Sequence, residues 1–158
     1  LQNIPRLDLM VGPFFLLVNL GLPVTAALAL QWAVLAVAAV VVFLLWRSKS
    51  AGFDAKAAGL LTAMLIASPY LWYYETAVLA AIGLFLVRAG ILGQGWPHRA
   101  LLFLLWFGCA LLVVNAFHRG LGNALIGAYT VTPILAVCLA LIVLHLIHRH
   151  RSPAALPA

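Results

Sequence analysis

The stretch 55–87 constrains the fold more than any other part of the sequence, because it is almost free of charge and too long for one ordinary helix. A single helix over these residues would be about 50 Å long, whereas the hydrocarbon core of a membrane is about 30 Å thick. Pro69 lies near the middle, where it removes a backbone hydrogen bond and disfavours helical backbone at the residue before it. The stretch therefore predicts two helical legs, about 55–68 and 71–87.

The composition places the whole chain among integral membrane proteins. Hydrophobic residues make up 66% of the chain, charged residues make up 8%, and the mean hydropathy is +1.16. Soluble domains are roughly half apolar and a quarter charged. The net charge of +6 does not indicate a nucleic-acid partner, since the basic residues stand singly between apolar stretches instead of forming a basic stripe.

Three further stretches have about the 20 apolar residues that a membrane-spanning helix needs. The N-terminal stretch 7–22 is shorter and is interrupted by glycine and proline, so it predicts an interfacial helix or the end of another span. Together with the two legs, these stretches predict an all-α, polytopic transmembrane bundle of about five membrane helices, one pair forming a broken hairpin around Pro69. We expect residues 1–148 to form the transmembrane domain and residues 149–158 a disordered cytoplasmic tail. The three spans are 24–45, 100–117 and 130–147.

The distribution of lysine and arginine decides how the two legs are arranged. In a hairpin, seven basic residues share one side of the membrane and two lie on the other; in one kinked crossing the division is four to five, which gives no orientation. The positive-inside rule therefore favours a hairpin whose tip, "SPYLWYY", faces the external surface of a multi-pass protein of the inner (plasma) membrane. The predicted cytoplasmic residues are Arg47, Lys49, Lys56, Arg88, Arg99, Arg149 and Arg151, and the other two are Arg6 and Arg119.

The tip of the predicted hairpin combines aromatic residues with one carboxylate. Tyr70, Trp72, Tyr73 and Tyr74 have apolar faces and polar edges, as in the aromatic belts found at membrane interfaces. Glu75 indicates more than a belt, because an ionisable residue within a span usually faces a bundle interior or an aqueous cavity. The alternative is a carboxylate close enough to the surface to be solvated.

The run "SPYLWYYETAVLA" resembles the C-terminal signature of glycosyltransferase family 87, whose members are polytopic GT-C enzymes similar to polyprenol-phosphate-mannose-dependent mannosyltransferases. The preceding order also fits the family: "LGLP" at 20–23, a helix bearing Gln31, and "LWRSK" at 45–49. Two positions depart from the family pattern. Glu75 replaces the usual aspartate, and Tyr73 stands where an acidic residue is common.

The resemblance implies that the chain is the C-terminal part of a hexosyltransferase or mannosyltransferase. Such an enzyme takes the sugar from a polyprenyl-phosphate-linked donor on the external face and passes it to a glycan or glycolipid acceptor, usually with inversion. It needs no cofactor. Arg119 is a candidate contact for the donor phosphate, with a solvated loop arginine as the alternative. The predicted substrate-binding residues are Ser68, Tyr70, Tyr73, Tyr74, Glu75 and Arg119.

No catalytic residue is assigned. In the enzymes that this chain resembles, the catalytic residue is typically an aspartate in the first external loop, and the surroundings of Asp8, "PRLDLM", do not look like that motif. Asp54 is predicted to be cytoplasmic, where it could cap the following helix. We therefore expect the catalytic base in a part of the enzyme that precedes this chain.

The histidines near the C-terminus do not predict a metal site. His145, His148 and His150 have no acidic or cysteine ligand beside them in the sequence, so we interpret them as a basic helix end close to anionic lipid. A different class of function also remains open, namely a non-enzymatic membrane component such as a transporter half or an assembly subunit. In that case the broken hairpin would form a site at mid-depth, although the sequence shows no second broken helix to pair with it.

Overall fold

The computed structural model describes residues 10–117 and 127–151, and these residues form an all-helical arrangement without strands, as the sequence predicts. Two described segments are long and apolar enough to cross a membrane, Val24–Arg47 and Tyr129–His148. The count of about five membrane helices stays a prediction. The helices are α1 (Pro13–Asn19), α2 (Val24–Arg47), α3 (Phe53–Ala67), a short 3₁₀ helix (Tyr73–Ala77), α4 (Val78–Arg88), α5 (Trp96–Phe117) and α6 (Ala128–Arg151).

The two ends of the described chain refine the predicted boundaries. The N-terminal stretch contains only a seven-residue helix, which begins with Pro13 at its first positions and is followed by Gly21 in the left-handed region, with φ of +91°. Glycine adopts that conformation without the steric cost that a Cβ brings. At the other end α6 continues to Arg151, so the first three residues of the predicted tail are helical. The rest of that tail lies outside the described residues.

The two legs form an antiparallel hairpin, as predicted, and not one kinked crossing. Asp54 at the start of α3 lies beside Arg88 at the end of α4, with 3.2 Å between Oδ1 and Nε. The rings of Phe53 and Phe85 also meet edge to face, with their centroids 6.3 Å apart. The chain therefore returns to its starting side after Pro69.

Helix α3 lies at the centre of the bundle and packs against α2, α4 and α6. Small residues allow this close packing: Ala58 and Thr62 are fully buried, and a Cβ added at Gly59 would collide with the Leu45 side chain of α2. Thr62 donates its hydroxyl to the Ala58 carbonyl oxygen at 2.8 Å, so its buried polar group is satisfied within α3.

Helix α2 is the opposite case, because most of its surface faces outward. Only 22% of its most apolar stretch is buried. Large apolar side chains are exposed along it, and an apolar surface of this kind is normally covered by lipid or by another protein. These residues include Leu28, Leu30, Trp32, Val37, Val40, Phe43 and Leu44.

The start of the second leg differs from the prediction. The sequence predicts helix from residue 71, whereas Leu71 is not helical, Trp72 is extended, and the helix begins only with the 3₁₀ turn Tyr73–Ala77 that leads into α4. The reason is a competing partner: the Val11 N–H donates to the Leu71 carbonyl oxygen at 2.8 Å, and Met10 forms an isolated antiparallel bridge with Trp72. A backbone carbonyl used in this way does not need a helical partner.

Candidate functional site

The site begins where α3 ends, one residue before Pro69. The last carbonyl groups of a helix have no partner within the helix. Here Gln31 of α2 supplies one: its Nε2 donates to the carbonyl oxygens of Ile66 at 3.2 Å and Ala67 at 2.9 Å. Gln31 is only 3% exposed. The single polar side chain in the middle of an otherwise apolar helix therefore holds the end of α3 in place.

These two bonds also fix which way the Gln31 amide faces. Two carbonyl oxygens on one side require the NH₂ group there, so the opposite rotamer would place oxygen against oxygen. The remaining Oε1 is buried and has no hydrogen-bond partner among the described residues. Gln31 therefore brings a buried acceptor to the broken end of the hairpin.

The N-terminal segment covers the break from another direction. Besides the bond from Val11 to Leu71, the Thr132 hydroxyl of α6 donates to the Val11 carbonyl oxygen at 3.4 Å. Gly12 approaches the turn so closely that a Cβ would lie 3.0 Å from the Ser68 carbonyl oxygen and 3.3 Å from the Leu71 Cβ. The tip is thus built by segments far apart in sequence.

Glu75 caps the start of the 3₁₀ helix that follows Pro69. Its Oε2 accepts the Trp72 N–H at 2.8 Å, and its own N–H donates to the Trp72 carbonyl oxygen at 3.1 Å. The first bond is a capping bond, in which a side chain at the third helical position satisfies the N–H that precedes the helix, and the second is the ordinary backbone bond of a 3₁₀ helix. The carboxylate therefore has a structural role in addition to the predicted binding role.

The aromatic residues of the tip differ in what they contact. Tyr70 and Tyr74 are both more than half exposed, and the Tyr74 ring stacks on Trp72 with centroids 6.1 Å apart and planes 16° from parallel. Leu71 and Thr76 are buried. The tip therefore has a buried side, to which Leu71 and Thr76 belong, and an outward aromatic side.

The structure gives the positions of four of the six predicted binding residues, and binding by them stays a prediction. Ser68, Tyr70, Tyr74 and Glu75 all lie on the segment that joins α3 to α4. The side chain of Tyr73 and the whole of Arg119 lie outside the described residues, so the predictions for them stay predictions.

The role of Gln31 is only partly predictable from the sequence. A lone glutamine in an apolar helix predicts a hydrogen bond to another helix, and the structure confirms that bond. Its partner is a pair of carbonyl groups, and no side-chain pattern reports which carbonyls a helix end leaves free. The pairing of Met10 and Val11 with the start of the second leg likewise carried no signal in the sequence.

Asp54 does not cap α3 in the predicted way. Gly52 occupies the cap position, and Asp54 lies in the first turn, where a carboxylate interacts favourably with the helix dipole. Within residues 10–117 and 127–151, no three His, Cys, Asp or Glu side chains are placed so that they could hold a metal ion. Comparison of the chain with protein-family models, curated proteins and solved structures gave no match.

Proposed function

We propose that this chain is part of a membrane glycosyltransferase of the GT-C type. It would take a hexosyl or mannosyl group from a polyprenyl-phosphate-linked donor on the external face of the plasma membrane and pass it to a glycan or glycolipid acceptor. The proposal starts from the resemblance of "SPYLWYYETAVLA" to the family 87 signature. The geometry of the tip supports it in the following two ways.

The first support is that the signature lies on an ordered break and not on a continuous helix. The Gln31 amide and the N-terminal segment hold the backbone on both sides of Pro69, so the carbonyl groups of Ile66, Ala67 and Leu71 have partners within the protein. Irregular backbone at membrane depth requires this kind of support. A fixed turn of this kind is what a binding wall needs, because its side chains keep one position relative to the bundle.

The second support, and the observation that carries the proposal, is the combination of Glu75 with exposed aromatic rings. The rings of Tyr70 and Tyr74 offer an apolar face and a phenol hydroxyl, which suits a sugar with apolar C–H groups and many hydroxyls. The Glu75 carboxylate uses one of its acceptor positions for the Trp72 N–H. Since a carboxylate has about four such positions, it retains capacity for a sugar hydroxyl.

The test separates the charge of Glu75 from its cap. In Glu75→Gln the amide oxygen can still accept the Trp72 N–H, so the cap survives while the charge is lost; Glu75→Ala removes both. The assay measures hexose transfer from a polyprenyl-phosphate donor in membranes that carry the full-length enzyme, including the part expected to hold the catalytic base, with Trp32→Phe on the outward face of α2 as the control. We expect Glu75→Gln to lower transfer at least about tenfold, the scale of one lost charge-assisted hydrogen bond. Undiminished transfer at normal expression would remove Glu75 from the binding site.

A further inference from the structure

A polar cavity lies at the end of the hairpin opposite to Pro69. Its volume is about 160 Å³, and three different helices contribute one ionisable residue each: Asp54 from α3, Arg88 from α4 and His145 from α6. The remaining lining residues are small: Gly52, Ala55 and Ala89. The cavity shares no residue with the candidate site at the tip.

The ion pair in this cavity is incomplete. Asp54 Oδ1 lies 3.2 Å from Arg88 Nε, yet among the described residues it accepts no well-aligned hydrogen bond, because the N–H does not point at it. The Arg88 side chain is 61% exposed and that of Asp54 is 24% exposed. Oδ1 itself is buried, so a third group can reach the Asp54 carboxylate only through its exposed part, whereas the Arg88 guanidinium is accessible from the rim.

Aromatic residues place this cavity at the depth of lipid head groups. Phe53 is 75% exposed at the start of α3, and Trp96 is 79% exposed at the start of α5. Trp46, at the end of α2, is exposed as well. Tryptophan is enriched at membrane–water interfaces, and both tryptophans stand beside the loops that border this end of the hairpin. Arg47 and Lys49, which are predicted to be cytoplasmic, follow Trp46 in the sequence and therefore lie near the same membrane depth.

We propose that the cavity binds the head group of a zwitterionic phospholipid that has a primary amine, as in phosphatidylethanolamine. The phosphate contacts Arg88 and His145, and the ammonium group donates to Asp54. A ligand with only a negative charge is repelled by the Asp54 carboxylate, and one with only a positive charge is repelled by the Arg88 guanidinium. A head group with both charges can pair with both residues.

The size of the cavity agrees with this ligand. A cavity of about 150 Å³ accommodates a six-atom ring such as benzene. The phosphoethanolamine group is only slightly larger, and the exposed rim formed by Arg88 lets part of the phosphate extend outward. A complete lipid-linked sugar is much too large, so the cavity and the proposed donor site at the tip have different ligands. The proposal does not depend on glycosyl transfer.

The first experiment compares lipids without changing the protein. The full chain is placed in two kinds of phosphatidylcholine nanodisc, one with added phosphatidylethanolamine and one with the same fraction of phosphatidylglycerol. Native mass spectrometry then counts the lipids of each type that stay bound. Phosphatidylcholine has the same phosphate and the same net charge, but its methylated nitrogen cannot donate a hydrogen bond. We expect phosphatidylethanolamine to be retained about two- to fivefold over phosphatidylcholine, the scale of one partly exposed ion pair.

The second experiment assigns the preference to residues. Asp54→Asn should remove the preference for the amine, and Arg88→Gln should lower retention of every phospholipid, while Arg99→Gln, which lies outside the cavity, should change neither. Equal retention of the ethanolamine and choline lipids would overturn the proposal. A preference for phosphatidylglycerol that Asp54→Asn leaves unchanged would also overturn it, since that result reports a general attraction of basic residues for anionic lipid. Binding of soluble phosphoethanolamine without retention of the lipid would exclude the membrane as the source.

Discussion

The two ends of the α3–α4 hairpin treat their polar groups in opposite ways. At the Pro69 end, which we call the tip, Gln31 and Glu75 are turned toward backbone groups and hold them at 2.8 to 3.2 Å. At the other end, which we call the base, Asp54 and Arg88 stand at ion-pair distance without an aligned hydrogen bond, beside an open cavity. The tip is held by directional bonds, and the base by charges that keep spare capacity.

The difference follows from what each end must accomplish. Pro69 and the end of α3 leave backbone carbonyls without helical partners, and in a buried setting each such group costs about 1–3 kcal/mol unless it is paired. The helix ends at the base lie near the predicted membrane interface. There, water and lipid head groups can bind the backbone and charged groups that have no partner within the protein. Substitutions at the tip should therefore cost much more stability than substitutions at the base.

The largest effect is expected for Gly12→Val. Its Cβ would lie 3.0 Å from the Ser68 carbonyl oxygen, which is backbone and cannot rotate away, and the added methyl groups would enlarge the clash. Overpacking of this kind costs about 1–3 kcal/mol, and we expect the upper end because the contact is with backbone. Unfolding of the purified protein in mixed micelles, followed by circular dichroism during titration with dodecyl sulfate, measures the cost.

Gly93→Val is the matched control for this substitution. Nothing lies within 4 Å of a Cβ at Gly93, and its φ is not in the left-handed region. We expect a change below about 0.5 kcal/mol there. Equal costs at the two glycines would show that the N-terminal segment does not pack on the turn.

The next effect is that of Gln31→Leu, which we expect to cost about 2 kcal/mol. The substitution keeps the size of the side chain but leaves the carbonyl groups of Ile66 and Ala67 without their donor. Trp32→Leu, one position along the same helix but exposed, is the control and should be nearly neutral. The same titration compares them. A loss in Gln31→Leu no larger than in the control would contradict the assignment of Gln31 as the cap of α3.

A smaller effect is expected for Glu75→Ala, about 1 kcal/mol, because the Trp72 N–H loses its acceptor at the start of the 3₁₀ helix. Glu75→Gln should cost less than half of that, since its amide oxygen still accepts the bond. Hydrogen exchange at the Trp72 amide, read by mass spectrometry of peptides that cover the turn, reports the cap directly. Equal exchange in Glu75→Ala and the unchanged protein would show that the carboxylate does not hold this N–H.

These contrasts also show which parts of the molecule were predictable from sequence. The hairpin followed from the length of one uncharged stretch, the position of Pro69 and the count of basic residues, all of which are local or additive properties. The extended start of the second leg did not, because its cause is a backbone bond between Val11 and Leu71, and backbone partners leave no side-chain pattern. The neighbourhood of Asp54 and His145 was missed for a related reason. The two residues are distant in the sequence, and only the packing of α3 against α6 makes them line one cavity.

The smallest effect is expected at the base, where Arg88→Gln should cost less than about 0.5 kcal/mol. The side chain is 61% exposed and its ion pair with Asp54 is poorly aligned, so solvent already competes for both charges. A double-mutant cycle with Asp54→Asn isolates the coupling between the two groups, and we expect a coupling below about 0.5 kcal/mol in micelles of a detergent that has no amine. The same cycle repeated after addition of phosphatidylethanolamine should show a larger coupling, because the proposed head group contacts both residues at once. A coupling near 2 kcal/mol in detergent alone would mean that the base is closed like the tip, and the contrast between the two ends of the hairpin would no longer hold.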